Sequence, residues 1–106
     1  MRRGEVWWAN LAGPAGRRPV VLLSRDATYE TRAQVTVAPV TRTIRNIAAE
    51  VPLGPEDGLD MKCVANLDDI ITIRKSTVQE RITVLSREKM NAVTKAIIFA
   101  LDLRFR

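Results

Sequence analysis

Two arginines lie directly ahead of an apolar segment that has the composition of a buried strand. Arg17 and Arg18 precede Pro19, and the aliphatic run 20–23 follows. Because proline fixes its own φ and disfavours the α region for the residue before it, Arg18 is predicted to be extended, with its guanidinium leaving the sheet edge in a defined direction. A planar cation with five N–H donors is suited to binding a phosphate. The alternative is that both arginines only begin a solvated strand.

A second polar cluster follows the segment 35–41. That segment alternates as a strand should until Pro39, which forces an edge or a bulge. The residues after it form a basic, hydroxyl-rich loop, 42–46. Two arginines and two threonines therefore lie together where a strand ends: Thr41, Arg42, Thr43 and Arg45.

The positive charge is placed unevenly along the chain. The net charge is +5; residues 1–49 contain eight arginines and three carboxylates, whereas residues 50–106 contain nine charges of each sign. Every cation of the first half is arginine, which favours planar recognition of phosphates and stacking on bases over simple solubility. The asymmetry predicts a nucleic-acid or an acidic-peptide partner.

Cysteine and histidine usage restricts the chemistry. The single Cys63 excludes an internal disulfide, and the absence of histidine removes the usual zinc and iron sites and the commonest general base near neutrality. Any catalysis must therefore use arginine, hydroxyl and carboxylate groups. We expect no metal and no cofactor.

Length and hydropathy limit the organisation of the chain. The 106 residues predict one domain, 1–106, with a single core so small that oligomerisation would be unsurprising. The apolar runs are too short to cross a bilayer, and the first three residues lead into Glu5 and a strand pattern rather than a signal-peptide core. The expectation is a soluble, cytoplasmic protein without a membrane partner.

The elements that must position the arginines are mostly strands. Strands are predicted at 4–11, from Arg17 to Ser24, and at 35–41, 47–53, 65–73 and 82–85, with a short helical turn within 25–34. Ser86 is a good N-cap for a terminal helix whose apolar stripe includes Met90, Val93, Ile97 and Leu101. The expected class is mainly β with α (α+β), a small antiparallel barrel or sheet closed by a C-terminal helix.

Strand alternation also makes predictions for two pairs of neighbours. Trp7 and Trp8 are predicted to point to opposite faces, one into the core and the other towards an interface or a binding groove. Asp68 and Asp69, placed within the strand 65–73, would likewise point apart, which argues against a shared carboxylate dyad.

Four short motifs, in this order, resemble the MazF/PemK/Kid family of toxin endoribonucleases. They are Arg3-Gly4-Glu5-Val6-Trp7, then Arg18-Pro19-Val20-Val21 before Ser24, then Val37-Ala38-Pro39-Val40-Thr41, then Leu67-Asp68-Asp69-Ile70 before Thr72-Ile73. The resemblance implies an SH3-like, CcdB-like barrel and a homodimer. It further implies metal-independent cleavage of single-stranded RNA, restrained by a cognate acidic, MazE-like antitoxin.

The resemblance also implies roles for individual residues. The family's catalytic pair, an arginine heading the second strand and a Thr or Ser ending the third, matches Arg18 and Thr41. Asp68 matches an acid near the cleft of relatives, where it could orient Arg18 or accept a proton; a surface carboxylate is the alternative. Contacts to RNA are expected from the basic residues nearby and one threonine: Arg17, Arg42, Thr43 and Arg45.

The chain departs from the family pattern at two places. Gly13-Pro14-Ala15-Gly16 stands where relatives carry a longer, acid-containing loop, and Asp69 and Ile71 stand where a Gln and an Arg are common. Two rival functions share the fold: a CcdB-like gyrase poison and a non-catalytic nucleic-acid-binding barrel. The tail of the gyrase poison ends in Trp-Gly-Ile, whereas this chain has Arg104-Phe105-Arg106, which counts against that rival.

Overall fold

The computed structural model of the protein describes residues 1–104; the predicted contrast at the chain end therefore falls partly outside the described residues, at positions 105 and 106. Within residues 1–104 the chain forms seven strands and two α-helices. Their bounds are β1 Glu5–Asn10, β2 Arg17–Leu22, α1 Thr28–Thr31, β3 Gln34–Thr41, β4 Glu50–Leu53, β5 Cys63–Asn66, β6 Ile71–Arg74, β7 Val78–Val84 and α2 Arg87–Ala100.

All strand pairs are antiparallel, in the order β4-β5-β3-β2-β1-β7, and β6 also pairs with β3. The predicted α+β class with a C-terminal helix is confirmed. The sheet is not a closed barrel, because β4 and β7 at its two ends do not pair with each other.

Strand β3 is buried on both faces and changes its pairing partner along its length. Val37 and Ala38 are consecutive and both fully buried, because neighbouring residues of a strand face opposite sides of the sheet. Val37 belongs to an apolar cluster that includes Trp7, whereas Ala38 belongs to a cluster covered by α2. The same strand pairs with β6 over its first half and with β5 at its end. The proline predicted to disturb this strand, Pro39, lies between these two paired segments.

The terminal helix begins as predicted. Ser86 accepts a hydrogen bond from the Lys89 amide at 3.1 Å, which satisfies one free N–H of the first turn. Val93 and Ala96 are buried against the sheet, but Leu101 is 55% exposed, so the packed part of the predicted stripe ends before it. Within residues 1–104, no helix is long and apolar enough to span a membrane.

The predicted continuous strand 65–73 is wrong. It is divided into β5 and β6 by a 3₁₀ turn, Leu67–Asp69. The Asn66 side chain closes this turn, because it accepts a hydrogen bond from the Asp68 amide at 2.9 Å and donates one to Asp69 at 3.0 Å. Leu67, only 1% exposed, fixes the turn to the core. Asp68 and Asp69 are therefore turn residues and not members of a strand.

Glu5 connects the N-terminus to β1 through a charged hydrogen-bond network. Its carboxylate accepts hydrogen bonds from the Arg2 amide and Trp7 Nε1, both at 2.9 Å, and pairs with Arg81 at 3.4 Å. Burial alone would raise the pKa of Glu5. The hydrogen bonds from Trp7 and Arg2, the N-terminal charge and Arg81 outweigh burial and lower this pKa below its ordinary value.

Replacement of this carboxylate should therefore change the pH dependence of stability. Because the pKa of Glu5 is lower in the folded chain than in the unfolded chain, its ionisation stabilises the fold above the unfolded pKa of about 4.3, and this contribution is lost as the pH falls through the folded value. We expect the gap in unfolding free energy between the parent and Glu5→Gln to be largest near neutrality and to shrink in acid. Urea unfolding across this range measures the gap; a constant gap would contradict the assignment.

Candidate active site

A cleft of about 390 Å³ opens where β2 begins and β3 ends. In the β2–β3 ladder Val20 lies opposite Pro39, and Arg18 and Thr41 lie two residues beyond this pair on their strands. Both residues line the cleft. The two residues proposed from the sequence resemblance as a catalytic pair are thus brought to one cleft by the pairing of two strands that are separated by a loop and a short helix.

The cleft exists because the ladder stops short of this pair. Pro19 and Pro39 have no N–H to donate, so the hydrogen bonds between β2 and β3 cannot continue to the strand ends. The end of β3 pairs instead with β5, with Thr41 opposite Val64. The first residues of β2 and the last residues of β3 are left unpaired with each other and form the walls of the cleft.

Arg18 is held by its inner nitrogen. Its Nε donates to the carbonyl oxygen of Ala15 at 2.8 Å. Ala15 ends a 3₁₀ turn, and Gly16 follows it with φ 59°, a left-handed conformation in which glycine is least strained. The two terminal nitrogens of Arg18 have no protein partner among residues 1–104, so they can bind two oxygens of one phosphate.

Arg17 lies on the ring of Trp8. Its guanidinium carbon is 4.3 Å from the ring centroid, a cation–π geometry. The β1–β2 register places Arg17 opposite Asn10. Asn10 lies two residues after Trp8 and therefore on the same face of β1, so Arg17 and Trp8 are diagonal neighbours. Trp8 lines the cleft, whereas Trp7 packs on the core cluster. The prediction that the two tryptophans divide between the core and a groove is confirmed.

Thr41 presents its hydroxyl at the cleft. Its Oγ1 accepts a hydrogen bond from the Thr43 amide at 3.2 Å, which leaves the hydroxyl proton available for another acceptor. Arg42 and Thr43 also line the cleft and are exposed. Arg45 is exposed too, but it does not line the cleft.

Glu50 holds the loop that carries these residues. Its Oε1 accepts hydrogen bonds from the amides of Arg45 and Asn46, both at 3.0 Å, and Asn46 has a left-handed φ of 56°. The residue is 8% exposed, and its Oε2 is buried without a partner in the described chain. Two consecutive amides around one carboxylate oxygen form an anion-binding nest. Glu50 therefore fixes the far end of the loop 42–49, a function not expected from the sequence.

Removing this carboxylate should loosen the loop. Glu50→Ala leaves two amides without their acceptor, and we expect a loss of about 1–3 kcal/mol in unfolding free energy. Glu50→Gln retains an acceptor oxygen and adds an N–H₂ group at the position of the unpartnered oxygen, so its loss should be smaller. Urea unfolding gives the two values, and hydrogen exchange at the Arg45 and Asn46 amides reports the loop itself. Equal destabilisation by the two variants would contradict this function.

Several cleft residues were not identified as site residues from the sequence. They come from the segment before β5, from β5 itself and from β7: Leu59, Asp60, Met61, Cys63 and Ile82. Asp60 is the only carboxylate among the described residues that line the cleft. Burial, with a smaller effect from the negative charge of Asp57, raises the pKa of the Cys63 thiol. That thiol is therefore protonated near neutrality and is a poor nucleophile.

Asp68 is not brought to the cleft. It lies in the 3₁₀ turn after β5, beyond the end of that strand from Cys63, and its exposed carboxylate is not part of the cleft wall. The sequence prediction had relied on the match between Asp68 and an acid near the cleft of relatives. Within residues 1–104, no three His, Cys, Asp or Glu side chains are grouped so that they could hold a metal ion.

Comparison with known proteins identifies the family of the chain. The family model described as a PemK-like, MazF-like toxin of type II toxin-antitoxin systems matches residues 2–101. The chain belongs to this family. A curated relative from Mycobacterium tuberculosis, named probable endoribonuclease MazF5, is 41% identical over 101 residues, covering 94% of this chain and 92% of the relative.

Solved structures of family members have the same fold. The toxin MazF-mt6 of Mycobacterium tuberculosis superposes with a TM-score of 0.88 at 33% identity, covering 95% of this chain and 99% of that one. A mycobacterial endoribonuclease solved in complex with its cognate antitoxin also gives a TM-score of 0.88, at 29% identity, covering 100% of this chain and 99% of that one. The fold that positions Arg18 and Thr41 is therefore the family fold.

Proposed function

We propose that this protein is a toxin endoribonuclease that cleaves single-stranded RNA in the cleft between β2 and β3. The observation that supports this best is that Arg18 and Thr41 line the same cleft, where the two terminal nitrogens of Arg18 have no partner within residues 1–104 and the Thr41 hydroxyl proton is available. The curated relatives are named endoribonucleases, which favours this function over a gyrase poison or a binding module.

In the proposed reaction the ribose 2′-oxygen attacks the adjacent phosphorus. The new O–P bond forms as the bond from phosphorus to the 5′-oxygen breaks, and the products are a 2′,3′-cyclic phosphate and a 5′-hydroxyl. Arg18 neutralises the charge that develops on the equatorial oxygens, and Thr41 donates a hydrogen bond to the same phosphate. One well-placed donor of this kind contributes about 2.7–4 kcal/mol to transition-state stabilisation. The scheme uses no metal and no cofactor.

The proton of the 2′-hydroxyl needs an acceptor, and the leaving 5′-oxygen needs a donor. Arginine, with a pKa above about 12, is a poor base. Asp60 is the one carboxylate in the cleft wall within the described chain, so we assign it the acceptor role that the sequence had suggested for Asp68. This assignment uses the placement of Asp60 in the wall as its support. The leaving 5′-oxygen takes its proton from a water molecule of the surrounding solvent, and Asp60 then returns its proton to the solvent.

The remaining basic residues would bind the strand on either side of the scissile phosphate. Arg42 and Thr43 line the cleft and can contact phosphates, and Arg17, held on Trp8, offers its N–H edges or its free face to a base. Arg45 lies outside the cleft on the loop that Glu50 holds, so its contact would be with RNA beyond the cleft.

Two protein partners belong to this proposal. One is an acidic antitoxin segment that covers the basic cleft, as one related toxin is known in complex with its antitoxin. The other is a second copy of the chain. Apolar side chains that are 45–61% exposed at the end of β7 and at or just after the end of α2 support a homodimer interface there: Val84, Phe99, Leu101 and Leu103.

The test is cleavage of a long single-stranded RNA by the purified protein in excess EDTA, with the new ends mapped. We expect fragments with 5′-hydroxyl ends at one short sequence. Thr41→Val should lose this activity and Thr41→Ser, which keeps the hydroxyl, should retain most of it, while Asp60→Asn tests the proton acceptor. Intact RNA across a range of substrates would contradict the proposed function and favour a binding module or a gyrase poison.

A further inference from the structure

A second depression lies at the opposite end of β3 from the cleft. It is open and has a volume of about 930 Å³. We call it the basic groove and define it by the side chains that line it: Ser24, Arg25, Thr28, Arg32, Ala33, Gln34, Thr36, Thr72, Arg74, Lys75 and Ser76. Thr36 in the groove and Thr41 in the cleft are five residues apart on β3, about 17 Å along an extended strand.

The floor of the basic groove is one face of the β3–β6 pair. Gln34 lies opposite Arg74 and Thr36 opposite Thr72, so alternate residues of both strands place polar side chains on this face. The hydroxyls of Thr36 and Thr72 are 3.0 Å apart. The opposite face packs on the core through Val35. The floor therefore offers hydrogen-bonding groups and no apolar anchor.

Four cations converge on this floor from three parts of the chain. Arg25 and Arg32 flank α1, whereas Arg74 ends β6 and Lys75 follows it. Lys75 Nζ donates to the Tyr29 carbonyl at 2.7 Å. The three arginines are exposed and make no ion pair with any carboxylate of residues 1–104.

The nearest acids by sequence do not line the basic groove. Asp26 and Glu30 lie beside and within α1, and neither belongs to the groove wall. Asp26 accepts a hydrogen bond from the Arg3 amide at 2.7 Å, outside the groove. Two of the eight arginines that produce the charge asymmetry, Arg25 and Arg32, are thus placed here and not at the cleft.

We propose that the basic groove binds backbone phosphates of the RNA at a segment remote from the scissile phosphate. This inference rests on the proposed function, since it takes the same RNA as its ligand. Guanidinium forks and hydroxyls together suit phosphate oxygens. Among residues 1–104, the groove wall contains no aromatic side chain for base stacking and no large aliphatic side chain that would contact the apolar residues of a peptide. The contacts are therefore with the backbone and independent of base sequence.

The experiment compares two single-stranded RNAs that cannot be cleaved because every 2′-oxygen is methylated. One is a short oligonucleotide that fills only the cleft, and the other is long enough to reach the basic groove. For the double variant Arg32→Gln/Arg74→Gln we expect weaker binding of the long RNA alone. Each phosphate contact to a single strand contributes a salt slope of about 0.7, so losing two contacts should lower the affinity roughly 25-fold at ~0.1 M salt and reduce the slope by about 1.4.

A charge-matched control is available on α2. Arg87→Gln/Lys95→Gln removes two exposed cations that line neither depression, and both RNAs should bind to it as to the parent. Cleavage of a short substrate should be unchanged in the groove variant. Binding of the long RNA as tight as to the parent, or equal weakening for both RNAs, would overturn the proposal. A lower molecular mass of the groove variant than of the parent in solution would also overturn it, because that result would identify the groove as a contact between two copies of the chain.

The same experiment separates this proposal from the proposed function. Binding of the methylated RNAs does not require catalysis. If the parent cleaves no RNA but the groove variant still loses affinity for the long RNA alone, the basic groove stands as an RNA site and the nuclease function fails. If the parent cleaves RNA and the groove variant binds the long RNA as tightly as the parent does, the nuclease function stands and the basic groove is not an RNA site.

Discussion

Arg18→Ala is expected to lower the rate of RNA cleavage about 10²–10³-fold, the effect of removing one preorganised donor to a developing anion. The physical reason is that its terminal nitrogens have no protein partner in the described chain and lie at the cleft, while Nε is fixed on Ala15. Arg18→Lys keeps the charge but loses the planar fork, so it should recover only part of the rate. Single-turnover cleavage of an RNA that contains the mapped target sequence measures all three proteins.

The matched control is Arg17→Ala, one residue earlier. Because Arg17 is held on Trp8 and is assigned to binding, its loss should raise KM more than it lowers kcat. Thr41→Val combined with Arg18→Ala should cost less than the product of the single effects, since both groups act on one phosphate. Cleavage by folded Arg18→Ala at the rate of the parent would contradict the catalytic assignment.

Gly58→Ala is expected to reduce the unfolding free energy by about 2–6 kcal/mol. Gly58 has φ 93° and follows the 3₁₀ turn Pro55–Asp57, and a left-handed conformation costs a residue with a side chain roughly 1–3 kcal/mol. A methyl group here would also overlap the hydroxyl and Cβ of Thr83 on β7, and overpacking of this kind costs about 1–3 kcal/mol. Urea unfolding monitored by tryptophan fluorescence measures the sum.

Making the same substitution in a Thr83→Ala variant separates the backbone strain from the overlap with Thr83. With Thr83→Ala already in place, the overlap is largely removed, and Gly58→Ala should then cost only the backbone strain of about 1–3 kcal/mol. The same cost in both backgrounds would show that the contact with Thr83 has no effect. Because Leu59, Asp60 and Met61 follow Gly58 and line the cleft, the variant should also cleave RNA more slowly at temperatures where it remains folded.

The features that could be predicted from the sequence depend on residues close together in the chain. Ser86 caps α2 through an amide three residues away, and Pro19 acts on Arg18 through the adjoining peptide bond. The division of Trp7 and Trp8 between core and cleft follows from strand alternation alone. The identity of Arg18 and Thr41 as a pair came from the order of four motifs, and the strand register then explained why the two residues meet.

The wrong prediction of a continuous strand 65–73 has a physical cause. The predicted strand through Asp68 depended on composition, but Asn66 forms side-chain hydrogen bonds to the next turn and ends the strand. Side chains of this type offer the backbone an alternative to the sheet. Once the strand ends there, Asp68 turns away, and Asp60, from the segment before β5, is the carboxylate that reaches the cleft.

The sequence by itself determined the α+β class, the terminal helix and the basic first half of the chain, because these follow from local pattern and composition; its four motifs identified the family by resemblance. Only the tertiary structure decided that Glu50 holds the loop, that Gly58 lies against Thr83, and that Arg32 and Arg74 share a groove. These contacts join residues 4 to 42 positions apart, and their geometry depends on strand register and on how the sheet packs. No local pattern specifies such distances, since they are set when the strands pair and the two faces of the sheet pack on their separate apolar clusters.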